Sequence, residues 1–139
     1  MGDQQNFDLG YGYDGLLKAL TIRQPWASLV VDGEKNVENR TWSTNYRGVL
    51  VIHAGSQIDS EAPHPTDGPT GAIIGTVRVV DCVQDSDSEW AIPGQWHWIL
   101  SDPRPCRPRP AKGSQGFWSL SETEWAWVRR TRQSRSAVA

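Results

Sequence analysis

Two apolar runs, "RGVLVIHA" (47–54) and the long Val/Ile-rich "GAIIGTVRVVDCV" (71–83), constrain this chain more than any other feature. Their β-branched residues pack well on a pleated surface and are crowded in a helix, so both are expected to be strands. Between them lies "GSQIDSEAPHPTDGPTG", whose three prolines and many turn residues forbid regular structure over most of its length. It is expected to be a loop or lid. "ALTIR" (19–23) alternates and adds a strand, and "WHWIL" (96–100) and "GFWSL" (116–120) read as two more. "RPCRPRPAKG" (104–113) reads as a Pro-rich edge or crossover.

Two segments have helix punctuation. In "QPWASLVVDG" (24–33), Pro25 stands where a helix's first turn accepts it and Gly33 where a left-handed helix end wants it. Trp26, Leu29 and Val30 then have the spacing of a buried stripe. In "SETEWAWVRR" (121–130), Ser121 and Glu124 have the spacing of a capping box. Short strands with two or three helices predict an α+β fold, a small β-barrel of about five to six strands flanked by those helices. A chain of 139 residues makes one domain. The expected organisation is a flexible N-terminal arm at 1–17, the domain at 18–128 and a basic flexible tail at 129–139.

One stretch does not fit its surroundings. "GEKNVENRTW" (33–42) lies between a short apolar helix and a clear strand, so it should itself be a strand. Alternation would put Asn36, Glu38, Arg40 and Trp42 on one face and Val37, Asn39 and Thr41 on the other, and neither face is apolar. Glu38 and Arg40, two apart, project to the same side and can pair. Such a pair fits a structural ion pair and a ligand-facing pair alike. Lys35 belongs by strict alternation to the opposite face, but it sits at the helix-to-strand turn, where the period need not hold. Asn36 and Asn39 fit turn or edge positions.

Charge is uneven along the chain. Residues 1–100 hold six basic and thirteen acidic side chains, a balance of −7, whereas 101–139 hold eight basic and three acidic, a balance of +5. Arg104, Arg107, Arg109 and Lys112 fall in the Pro-broken stretch, and Arg129, Arg130, Arg132 and Arg135 near the C-terminus. Such clusters commonly meet phosphates, although a solvated surface explains them equally well. The two cysteines, Cys82 and Cys106, have no CxxC spacing and no His at ligand spacing, so no metal site is expected and no cofactor is implied. No apolar run approaches the ~18 residues that span a bilayer, and the first ten residues lack the basic start and apolar centre of a signal peptide. No membrane partner is expected, and the location is expected to be cytoplasmic.

At this point the residues carry a resemblance. "GEKNVENR" fits the pattern GxKxxExR through Gly33, Lys35, Glu38 and Arg40, after "TIRQPWASLVV" and before "RGVLVIHA". Together with "GAIIGTVRVVDCV" and "AKGSQGFWSL", this order resembles the ASCH domain over roughly residues 18–121. The resemblance implies a PUA-like β-barrel with the motif lining a cleft beside the first helix. Members of this family are mostly regarded as RNA- or nucleic-acid-binding modules, and the related PUA, EVE and YTH folds include readers of RNA or of modified bases. A compact branch of ASCH-like proteins hydrolyses the amide of N4-acetylcytidine.

The expectation is therefore a nucleic-acid-binding module, RNA before DNA, with a single strand or a modified base among the candidate ligands. Its candidate contacts are Lys35, Glu38, Arg40, Trp42, Arg47, His53, Arg107, Arg109 and Lys112. Arg40 can fork onto a phosphate or a guanine-like edge. Trp42, Trp90 and Trp96 lie in polar or loop contexts and suit base stacking, whereas Trp26, Trp98 and Trp118 read as core. Trp125 and Trp127 are expected to dock the last helix. His53, ending a strand, is a candidate donor, while His64 and His97 are assigned no role. The first alternative is a small hydrolase acting on RNA or a modified nucleoside, with Lys35 and Glu38 as its catalytic pair. In the acetylcytidine branch a Thr nucleophile stands three residues after the motif lysine, and here that place is Glu38. The second alternative is a protein-interaction module in transcription or translation.

Overall fold

The computed structural model describes residues 17–65 and 67–134. Six strands and two helices follow in the order β1 (Lys18–Gln24), α1 (Trp26–Val31), β2 (Val37–Arg40), β3 (Gly48–Ile58), β4 (Ala72–Val83), β5 (Trp96–Pro110), β6 (Phe117–Ser119) and α2 (Glu122–Thr131). They form one mixed sheet in the order β2-β5-β4-β3-β1-β6. Only β1 and β3 pair in parallel, as expected when a helix lies between paired strands or when the chain crosses over.

The strands at the centre are buried on both faces, which explains why β3 opens with eight consecutive buried residues. On one face Leu20, Leu50, Ile52, Ile74 and Val77 pack with Ala27, Val30 and Val31 of α1 and with Trp98. On the other, Ala19, Val49, Val51 and Ile73 pack with Val128 of α2, against which Trp118, Trp125 and Trp127 also lean. Alternation along β1 and β3 thus deals side chains to two cores, each closed by one helix. Trp125 and Trp127 dock α2 as their position suggests.

The helix ends follow the sequence signals. Gly33 takes φ +86° just past α1, and a Cβ there would also stand 2.9 Å from Cγ of Pro103. The capping box of α2 is complete: Glu124 N donates to Ser121 Oγ at 3.1 Å, and Ser121 N donates to Glu124 Oε1 at 2.9 Å. Arg129 and Arg130, assigned by sequence to a tail, belong to the last turn of this helix. Past it, Gln133 N donates to the Pro105 carbonyl. The expected N-terminal arm, apart from Leu17, and Arg135 lie outside the described residues.

One feature differs from the sequence expectation. The Pro-rich stretch is not a separate edge or crossover but the second half of β5, still paired with β4 as far as Pro110. β2 covers β5 only from Trp96 to Ile99, so beyond that point one side of β5 has no strand partner. Proline is tolerated on such a side because its missing N–H breaks no ladder bond. The barrel, in turn, is not closed by hydrogen bonds, since β2 and β6 are both edge strands. Side chains bridge the gap instead: Arg40 Nη2 of β2 donates to the Thr21 carbonyl of β1 at 3.1 Å, and Trp42, just past β2, meets Phe117 of β6 edge-on at 5.3 Å. The result is an α+β, barrel-like sheet.

Candidate functional site

Where β2 approaches β1, a cleft of about 600 Å³ opens. Its polar side is built by the anomalous strand. Lys35 Nζ donates to Glu38 Oε1 at 3.3 Å and to the Val37 carbonyl. Arg40 Nε donates to Glu38 Oε2 at 2.9 Å, and its Nη2 stands 2.8 Å from the same oxygen. Lys35 and Glu38 are only 6 % and 7 % exposed. A carboxylate this buried is tolerated because both oxygens accept from cations. That is how a strand without an apolar face packs: its charges satisfy one another, and Val37 supplies the buried apolar contact.

The far wall is hung from the same strand. Asn39 Nδ2 donates to the Trp90 carbonyl at 2.9 Å, and the Ile92 amide donates to Asn39 Oδ1 at 2.9 Å. The loop between β4 and β5 is held further by Ser88 Oγ donating to Asn36 Oδ1 at 2.7 Å and by His97, which accepts from Ser86 N at Nδ1 and meets the Ile92 carbonyl through Nε2. The two asparagines therefore have structural work that their sequence context did not reveal. A tryptophan stands on each side: Trp42 on one, Trp26 and Trp90 on the other, the last two 6.4 Å apart and edge-to-face. His64, from the Pro-rich loop, packs against both, at 5.5 Å from Trp26 and 5.6 Å from Trp90.

Charges around the cleft are balanced. Arg23, Lys35 and Arg40 are matched by Glu38, Asp59 and Glu89. Asp59 Oδ2 accepts from Trp26 Nε1 at 3.0 Å. That bond, with one from the Glu61 amide, holds the Asp59 carboxyl below its ordinary value. Among the described residues, no group of three or more His, Cys, Asp or Glu is arranged to hold a metal ion.

Of the sequence candidates, Lys35, Glu38, Arg40 and Trp42 share this cleft, and five do not line it. His53 is 2 % exposed and spends both ring nitrogens inside the fold, Nε2 on the Ala111 carbonyl at 2.6 Å and Nδ1 on Thr21 Oγ1 at 3.2 Å. It positions Thr21, which also accepts from Trp118 Nε1, and is not a cleft donor. Arg47 holds the carbonyls of Thr44 and Tyr46 and stands 3.7 Å from Asp81. Lys112 is exposed, next to Gly113, whose backbone lies so close to Thr21 and His53 that a Cβ would clash. Arg107 and Arg109 stack on Trp127 instead. Trp90, read from sequence as a stacking candidate, lines the cleft, and Trp26 is the gain: it was assigned to the core because it begins an apolar helical stripe, but as the first residue of α1 it is only partly buried, packing against the core and lining the cleft as well. Trp96 packs partly buried against the core and does not line the cleft.

The comparisons agree with this architecture. A sequence model of the ASCH domain matches residues 20–109. The chain is 30 % identical over 148 residues to the human activating signal cointegrator 1, and 29 % identical over 142 residues to its mouse counterpart. Each match covers 84 % of this chain but 23 % of the relative, so the chain spans about a quarter of the length of these relatives. The crystal structure of ASCH from Zymomonas mobilis superposes with a TM-score of 0.59 at 16 % identity, over 84 % of this chain and 95 % of that one, which shows the fold. With the motif strand, the flanking elements and the matched residues in agreement, the chain belongs to the ASCH domain family.

Proposed function

We propose that the chain is a nucleic-acid-binding module, RNA in preference to DNA, that receives a base in the cleft between β2 and β1. The observation that carries this reading is the combination of tryptophans on two sides with a fixed polar edge made by Lys35, Glu38 and Arg40. Base stacking on an aromatic ring contributes ~1–3 kcal/mol and tolerates any base. The polar edge supplies selectivity, because a planar guanidinium held at Nε and Nη2 presents its remaining donors in one orientation. A volume of about 600 Å³ is within the usual range for a small-molecule pocket.

The contact between Lys35 and Glu38 supports a second reading, a hydrolase in which this pair activates water. Against it, both Glu38 oxygens already accept from cations, so a proton could be taken up only by breaking one of those contacts. Incubation with N4-acetylcytidine and, separately, with labelled RNA separates the two: turnover lost in Lys35→Ala and Glu38→Gln would favour the hydrolase.

For the binding reading, the test is titration with short RNA, single-stranded DNA and duplex DNA across salt. Arg40→Ala is expected to weaken binding by ~1–3 kcal/mol, and Arg40→Lys, which keeps the charge without the fork, to fall between. Equal affinity in all three proteins would remove the cleft from the binding site. No salt-dependent binding to any nucleic acid would point to a protein-interaction module.

A further inference from the structure

Arg107, Arg109 and Arg130 converge on one indole. Their guanidinium carbons lie 5.5, 5.7 and 5.4 Å from the centroid of Trp127. Two come from alternate positions of β5 and the third from the last turn of α2. The ring is itself fixed, since Trp127 Nε1 donates to the Arg107 carbonyl at 3.0 Å. Beside it, Arg132 stacks on Trp125 at 5.2 Å. None of these residues lines the cleft.

The absence of neutralisation sets this cluster apart. Among the described residues, none of the three arginines on Trp127 is in an ion pair. The acidic residues of α2, Glu122 and Glu124, occupy its first turn, at the opposite end from Arg130. An indole has two faces, so at least two of the guanidiniums share one. The ring's quadrupole attracts each cation but leaves its charge intact, and the cations repel one another. An anion relieves that repulsion. A helix C-terminus also favours basic residues, which accounts for Arg130 but not for Arg107 and Arg109 on the strand.

We infer that this arginine-faced indole is a second contact surface, separate from the cleft, which grips the phosphodiester backbone of a nucleic acid. The inference rests on the nucleic-acid reading above and adds where the backbone is held. Guanidinium forks match phosphate oxygens and carry no base preference, so this surface supplies attraction while the cleft selects. The indole gathers the three guanidiniums at one place before the ligand arrives.

The test compares the whole chain with R107Q/R109Q/R130Q and R107K/R109K/R130K, titrating a single-stranded oligonucleotide of mixed sequence across salt. For three phosphate contacts, the slope of log affinity against log salt should become shallower by about 2 in the Gln variant, with affinity at low salt at least tenfold lower. The Lys variant should keep most of the slope and lose affinity only a few-fold. Melting temperatures should match the parent within a few degrees. An unchanged slope in the Gln variant, with the parent binding normally, overturns this surface and leaves the cleft reading standing. Loss of slope in the Lys variant together with a marked drop in melting temperature would make the arginines structural and also overturn it. If the parent binds no oligonucleotide, both readings fall together.

Discussion

In the cleft, Lys35 and Arg40 close on one buried carboxylate, whereas on the α2 face Arg107, Arg109 and Arg130 close on an indole and meet no carboxylate among the described residues. Both arrangements immobilise cations, but by different physics. A carboxylate fixes them by cancelling their field and supplying directed hydrogen bonds, so the cleft gains geometry at the expense of long-range attraction. An aromatic ring fixes them weakly and cancels nothing. The first arrangement suits discrimination at close range, the second attraction at a distance.

The largest expected effect tests whether the charges of the cleft are also structural. Glu38→Ala leaves Lys35 buried without its anion, a defect that commonly costs about 3 kcal/mol, and the melting temperature should fall by roughly 10 °C. A single Arg107→Gln on the other face should change stability by no more than about 0.5 kcal/mol. Equal and small shifts in both would erase the contrast between the two regions.

Asn39→Ala sharpens it from another side. It removes two hydrogen bonds that hang the loop between β4 and β5 on β2, which should cost about 1–2 kcal/mol and speed hydrogen exchange at the Ile92 amide. Unaltered exchange there would mean that other contacts hold the wall.

The smallest effect concerns the rim. Because the folded Asp59 titrates below 3.8, it favours the folded state above that pH, and its contribution is lost as pH falls through the lowered value. Trp26→Phe removes the indole N–H and should move the Asp59 midpoint up towards 3.8 in a carboxyl NMR titration. A midpoint that stays put would assign the lowering to the Glu61 amide.

Much of the fold was legible because its signals are local. The apolar runs of β3 and β4, the Pro25 and Gly33 bounds of α1 and the capping box of α2 depend on residues a few positions apart, and so does the pairing of Glu38 with Arg40. What was missed depends on distant residues. Trp26 looked like core because helical spacing says which residues share a stripe, not which end of a six-residue helix stays partly open. His53 looked available because nothing near it in sequence announces Ala111, 58 residues away, as its acceptor. Arg107 and Arg109 were correctly seen as clustered, but their gathering point, Trp127, lies on a different element. Strand β5 was cut short in the sequence expectation because prolines were taken to end it, whereas they fall where it lacks a second strand partner.

That proline-bearing half of β5 has a consequence for the protein's company. An uncovered strand edge invites another chain to add a strand, the first step of sheet-to-sheet aggregation. Pro105 turns its carbonyl outward to Gln133, so its own missing N–H lies on that outer side. An incoming strand would find acceptors already taken and donors absent. The Arg107 amide, the next outward donor, is given to Thr131 Oγ1 at 3.3 Å. This flank of the open sheet is therefore closed to strand addition.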